Sequence, residues 1–151
     1  MANHFSQLAK KSRTNGNSKK IAKEQTGKPS LEIYKLGDEV LRQHSKRISK
    51  VDDKIRNLAR EMLQSMYAAK GIGLAAPQIG INKELLVIDV NFEDSAAEPL
   101  ILINPEITDY GTTLNSYEEG CLSIPGIYLN VVRPSTIKSV SYTHLTLPTK
   151  A

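Results

Sequence analysis

Hydrophobic and polar residues follow two periods along the chain, one typical of strands and one typical of a helix. From Leu31 to Leu36 the residues alternate at period two until Gly37–Asp38, which predicts a strand. Residues 39–50 show no clear period and are predicted to be irregular. From Val51 to Lys70 apolar residues recur at steps of three and four, which predicts a helix that ends at Gly71.

The predicted helix has suitable residues at its start and on its apolar face. Asp52 and Asp53 lie in the first turn, where the helix dipole favours negative charge. Met62 and Met66 belong to the apolar stripe, and we expect both to fill the core.

Short apolar segments separated by turns make up the second half of the chain. Strands are predicted at Leu85–Val90, Leu100–Asn104, Ile107–Tyr110, Thr112–Glu119, Ile127–Arg133 and Thr136–Tyr142. Asn91–Glu98 is predicted to be a polar loop, and Pro105 is predicted to end the strand before it. The segments at 112–119 and 127–133 could pair as antiparallel strands. One helix followed by many short strands indicates an α+β fold rather than alternating βαβ units.

Composition places the chain among soluble globular proteins. Its 151 residues suffice for one domain with a proper core, and the apolar and charged shares are 40% and 24%. The single cysteine excludes an internal disulfide framework and fits a reducing compartment. We find neither an apolar run of membrane-spanning length nor the apolar core of a secretory signal in residues 1–30, and we therefore expect an intracellular protein with no membrane partner.

The net charge of +4 is concentrated at the N-terminus. Residues 1–30 contain seven Lys and Arg against Glu24 alone, whereas residues 31–151 contain 13 basic and 15 acidic residues. We expect residues 1–30 to be a disordered basic extension, with RNA contact or a targeting role as alternatives. Basic and aromatic residues do not alternate, so specific nucleic-acid recognition is not expected.

The segment Gly71–Gly80 is rich in small residues. Its first six residues match the glycine pattern of dinucleotide-binding loops, with alanine in the last glycine position. Such a loop follows a strand and opens a helix, whereas this segment follows a predicted helix and soon meets Pro77. We therefore interpret it as exposed backbone that can approach a ligand, with Gln78 as its one polar side chain.

The segment Glu118–Pro125 contains the only cysteine, Cys121. Gly120 allows a close backbone approach, and Pro125 is expected to end ladder hydrogen bonding on its side. Residue chemistry alone leaves three interpretations of a lone thiol in this setting: a metal ligand, a nucleophile or a buried apolar residue.

Gly71–Gln78 and Glu119–Ser123, in this order and with the strand-rich segment between them, resemble the first and second motifs of the peptide deformylase family. The resemblance spans Leu31 to about Lys138. It implies removal of the N-formyl group from the initiator methionine of nascent polypeptides with a divalent metal, ordinarily iron(II). N-formylmethionyl peptides would then be the substrates, transient ribosome association is possible, and the compartment would be the bacterial cytoplasm or the plastid stroma.

The resemblance also implies roles for individual residues. Cys121 would be a metal ligand, and a metal-bound water would be the nucleophile. The Gln78 side chain and the Leu122 backbone N–H would stabilise the oxyanion that forms at the formyl carbon. The substrate-binding residues would be Ile72, Gly73, Leu74 and Gly120. Ser123, Glu118 and Glu119 are expected to be structural, with Arg133 a possible partner for one of the two carboxylates.

The chain departs from the family pattern in its third motif, which is His-Glu-x-x-His on a helix. Residues 1–151 contain no such motif, and their histidines are His4, His44 and His144. Residues 139–151 do not resemble the family, so we expect a partial domain over 31–138 followed by an atypical tail. From this we predict that the metal-binding helix is missing, that the chain is inactive as written, and that an uncovered apolar sheet face promotes aggregation.

Two alternatives to the enzyme interpretation stay open. The first is a non-catalytic peptide-binding pseudoenzyme that keeps the glycine-lined groove. The second is a Cys121 nucleophile of the thiol-hydrolase type, for which His44 is the available base.

Overall fold

The structure, a computed structural model, describes residues 29–142. One helix and six strands form this part of the chain. Helix α1 is Asp53–Ala68. The strands are β1 (Gly73–Ala75), β2 (Leu85–Ile88), β3 (Leu100–Tyr110), β4 (Leu114–Cys121), β5 (Ile124–Pro134) and β6 (Ile137–Tyr142). Two 3₁₀ turns, Glu39–Arg42 and Ala76–Ile79, lie on either side of α1 in the sequence. The predicted α+β class is confirmed, as are the polar loop at 91–98 and the last strand.

The strands form two antiparallel sheets. The larger has the order β1-β2-β3-β6, with β1 and β6 at its edges. Leu74 lies opposite Val87 in this sheet, and Val87 lies opposite Ile101. The smaller sheet is the β4–β5 hairpin, which confirms the predicted pairing of 112–119 with 127–133. Cys121 is the last residue of β4, so the hairpin places it at a turn.

The core lies between α1 and the larger sheet. Met62 and Met66 are completely buried, as predicted, and both pack in one cluster with Leu74, Val87 and Ile103. Burial of each such side chain contributes about 1.5–3 kcal/mol to stability. The core therefore fixes α1, β1, β2 and the first half of β3 relative to one another.

Both ends of α1 have defined caps. The Asp52 side chain accepts a hydrogen bond of 3.1 Å from the Ile55 N–H, which holds the pKa of Asp52 below its usual value. At the other end the left-handed residue is Lys70, with φ of 58°, and not the glycine that follows it. The Lys70 N–H donates to Tyr67 and the Gly71 N–H to Met66, each at 2.9 Å. This is a Schellman motif, in which a glycine is preferred at the position that Lys70 occupies.

The prediction of a strand at Leu31–Leu36 is wrong. This segment forms no ladder with any strand of the described chain, because its N–H groups donate to two separate places. The Tyr34 N–H donates to the Gln78 carbonyl at 2.7 Å, and the Leu36 N–H donates to the Ser123 carbonyl at 2.8 Å. The alternating pattern therefore marks an extended segment that joins two other elements.

Pro105 does not end a strand, contrary to the prediction. Strand β3 runs through it to Tyr110, with a register shift between Ile103 and Glu106. Asn104, just before the proline, adopts a left-handed conformation with φ of 49°. Its side chain accepts from the Ile48 N–H at 2.8 Å and donates to the Ile48 carbonyl at 2.9 Å. The resulting bulge accommodates a proline that has no N–H to donate.

Large apolar side chains are exposed on the hairpin and on the outer half of the larger sheet. They are Leu114, Tyr117, Ile127, Tyr128, Leu129 and Val132 on β4 and β5, and Ile107, Tyr110, Ile137, Val140 and Tyr142 on β3 and β6. Tyr128 and Leu129 are consecutive ladder residues, so exposed apolar side chains lie on both faces of the hairpin. One uncovered apolar face left by a missing helix stays a prediction. In residues 29–142 no helix has the length and apolar character needed to cross a membrane. The predictions for residues 1–28 and 143–151, His4 and His144 included, lie outside the described residues.

Candidate active site

The two glycine-bearing segments meet in space at Gln78 and at the turn between β4 and β5. Gln78 lies in the 3₁₀ turn Ala76–Ile79, which has Pro77 as its second residue and which Gly80 ends in a left-handed conformation with φ of 80°. A proline early in such a turn is favoured because its φ is already fixed near the required value. The first motif therefore folds into a rigid turn that projects the Gln78 side chain.

The Gln78 amide group is held in one orientation. Its Oε1 accepts a hydrogen bond of 2.9 Å from the Ala75 N–H, and its Nε2 donates to Ser123 Oγ at 3.1 Å. The same Nε2 lies 3.8 Å from the Cys121 Sγ. Since a backbone N–H occupies the acceptor end, the donor end must face the cysteine. The side chain of Ser123 thus contacts the Gln78 amide, and Cys121 is exposed rather than buried.

The second motif forms a tight turn with a bulge beside it. Gly120 lies opposite Tyr128, but the next pair in the ladder is Cys121 with Ile124, so Pro125, Gly126 and Ile127 loop out. Pro125 therefore lies inside β5 and the ladder continues beyond it, which differs from the expected end of pairing. A Cβ on Gly120 would lie 2.7 Å from the Tyr128 ring. The close approach expected at Gly120 is thus made by an aromatic side chain across the hairpin.

Leu122 occupies the turn itself. Its side chain packs against the core cluster and lies so close to Gly71 that a Cβ there would be 2.7 Å from Leu122 Cδ1. The Leu122 N–H donates to no other group of residues 29–142, although its carbonyl accepts from Lys35 Nζ at 3.2 Å. The turn therefore has a free backbone donor one residue after the cysteine that the Gln78 amide faces.

The remaining first-motif residues lie along the edge strand β1. Ile72 precedes the strand and is 56% exposed, whereas the Leu74 side chain is only 2% exposed and belongs to the core. Gly73 pairs with Ile88, and a Cβ on it would meet only the Val87 carbonyl at 3.7 Å. Within the described chain, β2 is the only strand that pairs with β1. Its outer edge is therefore open to an extended peptide.

A buried polar pair lies beneath the first motif and was not found by the sequence reasoning. The Tyr67 hydroxyl donates to Asp89 Oδ2 at 2.7 Å, and the Asp89 N–H donates to the Ile72 carbonyl at 2.9 Å. Burial, together with the Asp89 carboxylate, raises the pKa of Tyr67 well above its ordinary value. The sequence signal that could have revealed this pair is Asp89, an acidic residue that directly follows the apolar strand at 85–88.

Arg133 and Glu119 form the ion pair that was predicted as a possibility. Arg133 donates to both carboxylate oxygens of Glu119, at 2.6 and 2.8 Å. The hydrogen bond holds the pKa of Glu119 below its ordinary value and raises that of Arg133. Both side chains are partly exposed, so the pair links β4 to β5 and contributes little to stability.

The described residues do not by themselves fit a complete metal site. Within 29–142, no group of three or more His, Cys, Asp and Glu side chains lies close enough to hold an ion. Cys121 could supply one ligand, and a site with three protein ligands would need residues from outside that range. His44 is exposed and makes no hydrogen bond to Cys121 among the described residues. The thiol–base pair required by the nucleophile interpretation is therefore not formed there.

Comparisons with known proteins agree with one another. The sequence model of a family described as polypeptide deformylase matches residues 30–148. A peptide deformylase from Prochlorococcus marinus (strain MIT 9312) is 92% identical over 138 residues, which are 91% of this chain and 69% of that relative. A peptide deformylase from Synechococcus sp. (strain CC9605) is 56% identical over 138 residues, which are again 91% of this chain and 69% of that relative.

Solved structures of peptide deformylases are also similar to this chain. The crystal structure of a peptide deformylase from Synechococcus elongatus in complex with actinonin is 47% identical, with a TM-score of 0.75 over 85% of this chain and 76% of that one. The peptide deformylase from Thermotoga maritima is 36% identical, with a TM-score of 0.69 over 75% and 74% of the two chains.

Proposed function

The chain belongs to the peptide deformylase family, and from that premise we propose that its reaction is hydrolytic removal of the N-formyl group from the N-terminal formylmethionine of nascent polypeptides. The observation that supports this most directly is the fixed orientation of the Gln78 amide. Its Nε2 and the free Leu122 N–H are two donors on adjoining turns. Hydrolysis of a formyl amide develops negative charge on the formyl oxygen, and preorganised donors of this kind stabilise such charge.

The substrate would be bound as an extended peptide. We propose that its backbone pairs with the open edge of β1 at Gly73, with the exposed Ile72 side chain beside it. Leu74 would contribute through its backbone, because its side chain is buried in the core. Gly120 would act indirectly, since the space beside it belongs to the Tyr128 ring.

Iron(II) or another divalent metal is the cofactor that this proposal requires. Cys121 would supply a thiolate ligand, which suits a transition metal, and the metal when bound would supply Lewis-acid activation of water. Within residues 29–142 no group of three or more His, Cys, Asp and Glu side chains could hold the ion, so further ligands would have to come from other residues. For residues 1–151 alone, whose sequence has no His-Glu-x-x-His, we propose binding of formyl peptides without turnover.

The test compares this chain with a chimera. The chimera keeps this chain up to about Lys138 and takes everything after the equivalent position from the P. marinus relative, of which the matched region is 69%. Both proteins are incubated with iron(II) under anaerobic conditions, and formate release from a formylmethionyl tripeptide is measured, with the acetylated peptide as the negative control. We expect formate from the chimera and peptide binding alone from the 151-residue chain.

Gln78→Leu in the chimera tests the oxyanion role. Loss of one such donor is expected to lower kcat by about 10²–10³-fold. Formate release by the unmodified 151-residue chain would contradict the proposed lack of turnover. A chimera that binds the peptide but releases no formate would contradict the proposed reaction and favour the peptide-binding alternative.

The proposed setting is the bacterial cytoplasm. The relatives that match with high identity come from Prochlorococcus marinus and Synechococcus, and nascent chains would be met in transient association with the ribosome. Co-sedimentation of the chain with translating ribosomes at physiological salt, with and without residues 1–28, tests this part of the proposal.

A further inference from the structure

We propose that Lys35 is a positioning residue for the turn that carries Cys121 and Leu122. This inference rests on the proposed function, because it concerns how the two oxyanion donors are kept side by side. The Lys35 ammonium donates to the Leu122 carbonyl at 3.2 Å, although 87 positions separate the two residues in the chain. No motif includes Lys35, and the hydropathy pattern assigned it to a strand that does not form.

The backbone around Lys35 is held at three consecutive N–H groups. The Tyr34 N–H donates to the Gln78 carbonyl, the Lys35 N–H to Asp38 Oδ2 at 2.8 Å, and the Leu36 N–H to the Ser123 carbonyl. The Lys35 side chain therefore starts from a fixed point beside both motifs. Since the backbone is already ordered, forming the bond costs the rotamer entropy of the lysine side chain and no further backbone entropy.

The hydrogen bonds from this segment hold two successive peptide planes of the turn. The Leu122 carbonyl is bound by the Lys35 side chain, and the Ser123 carbonyl is bound by the Leu36 N–H. Peptide units are planar, so anchoring both carbonyls restricts the torsions about the Ser123 Cα and at the Leu122 Cα. The Leu122 N–H lies in the preceding peptide plane, and the Leu122 φ torsion alone separates it from the anchored part of the turn. Gln78 holds the opposite side of the turn through Ser123 Oγ.

The experiment uses the full 151-residue chain and three variants. Lys35→Met removes the ammonium at similar length, and Lys35→Arg restores a cationic donor. Lys54→Met is the matched control, since Lys54 is exposed on α1 and far from the turn in sequence. Amide hydrogen exchange of Leu36 is measured by NMR and corrected for intrinsic rates, with Val87 at the centre of the larger sheet as the reporter of global unfolding.

We expect Lys35→Met to raise the Leu36 exchange rate by about two- to tenfold, the factor that corresponds to one hydrogen bond of typical net strength. Exchange at Val87 should not change, and Lys35→Arg should restore the Leu36 rate. Unchanged exchange at Leu36 in Lys35→Met would overturn the inference. So would an equal increase in Lys54→Met, because the effect would then not be local.

Kinetics of the chimera described above separate this inference from the proposed function. If the chimera is active, Lys35→Met should lower kcat with little change in KM, because the substrate-binding edge at β1 is untouched; a change in KM alone would overturn the positioning role. If the chimera is inactive, the proposed reaction fails, whereas the exchange data still decide whether Lys35 orders the turn.

Discussion

Replacement of Asn104 tests the contact that lets β3 pass through Pro105. The Asn104 side chain makes two hydrogen bonds to the Ile48 backbone, and its own backbone is left-handed with φ of 49°. Asn104→Gly removes both bonds but suits the backbone conformation. Asn104→Ala removes both bonds but, unlike the glycine variant, keeps a Cβ where φ is positive. The pair of variants therefore separates the side-chain contribution from the backbone contribution.

The expected losses follow from the number of bonds. Two hydrogen bonds of about 0.5–1.5 kcal/mol each give a loss of roughly 1–3 kcal/mol in the free energy of unfolding for Asn104→Gly. The alanine variant should lose about 1 kcal/mol more, because alanine is strained at a positive φ. Asn104→Asp keeps the acceptor for the Ile48 N–H but sets a carboxylate oxygen against the Ile48 carbonyl. Its stability should partly recover at acidic pH, where the protonated carboxyl can donate.

The assay is urea denaturation followed by circular dichroism, with the slope of the transition compared among variants. An unchanged slope indicates that the unfolded state is the same, so that midpoints report stability. A glycine variant within about 0.5 kcal/mol of the parent, which is the usual range for a surface substitution, would refute the contribution of the Ile48 contact. Equal stability of the alanine and glycine variants would refute the strain argument for φ.

Three further predictions concern the helix end, the buried pair and the hairpin. Lys70→Gly should raise the free energy of unfolding by roughly 1 kcal/mol, because glycine adopts the left-handed conformation without the side-chain cost; a loss of stability in urea would contradict this. Tyr67→Phe should cost about 1–3 kcal/mol, since it removes a buried hydrogen bond to Asp89. In the parent the pKa of Tyr67 is raised, so this stabilisation is present below the ordinary tyrosine pKa and is lost only as pH rises through the folded value. Absorbance titration should therefore find one tyrosine that ionises on unfolding. The pKa of Glu119 is lowered in the folded state, so its pair with Arg133 gives stability above the ordinary glutamate pKa that is lost as pH falls through the folded value. Glu119→Gln should abolish this acid-side change, which is at most about 1 kcal/mol because the pair is exposed.

Features that depend on neighbouring residues were predictable from the sequence. The helix was predicted because its apolar stripe and the acidic residues at its start, Asp52 and Asp53, are local patterns, although its C-terminal left-handed residue is Lys70 rather than the expected glycine. The hairpin and the Glu119–Arg133 pair followed from two segments joined by a short connection.

Features that depend on distant residues were not predictable. The rule that proline ends a strand failed at Pro105 because Asn104 contacts Ile48, 56 positions away in the chain. The strand at 31–36 failed for a similar reason, since its N–H groups have partners near Gln78 and Ser123 rather than on one neighbouring strand. Hydropathy records which face of a segment is apolar, and it contains no information on which distant backbone groups a polar atom will meet.

The same distinction explains how the candidate site is held. The hairpin that carries Cys121 exposes apolar side chains, so burial of its strands does not fix it against the core. Its turn is instead joined to the rest of the described chain by the packed Leu122 side chain and by hydrogen bonds from Lys35, Leu36 and Gln78. Polar contacts of this kind depend on distance and direction, so small shifts at the turn weaken them strongly. Variants in the core should therefore change global stability, whereas variants at Lys35 should change the order of the turn at nearly constant stability.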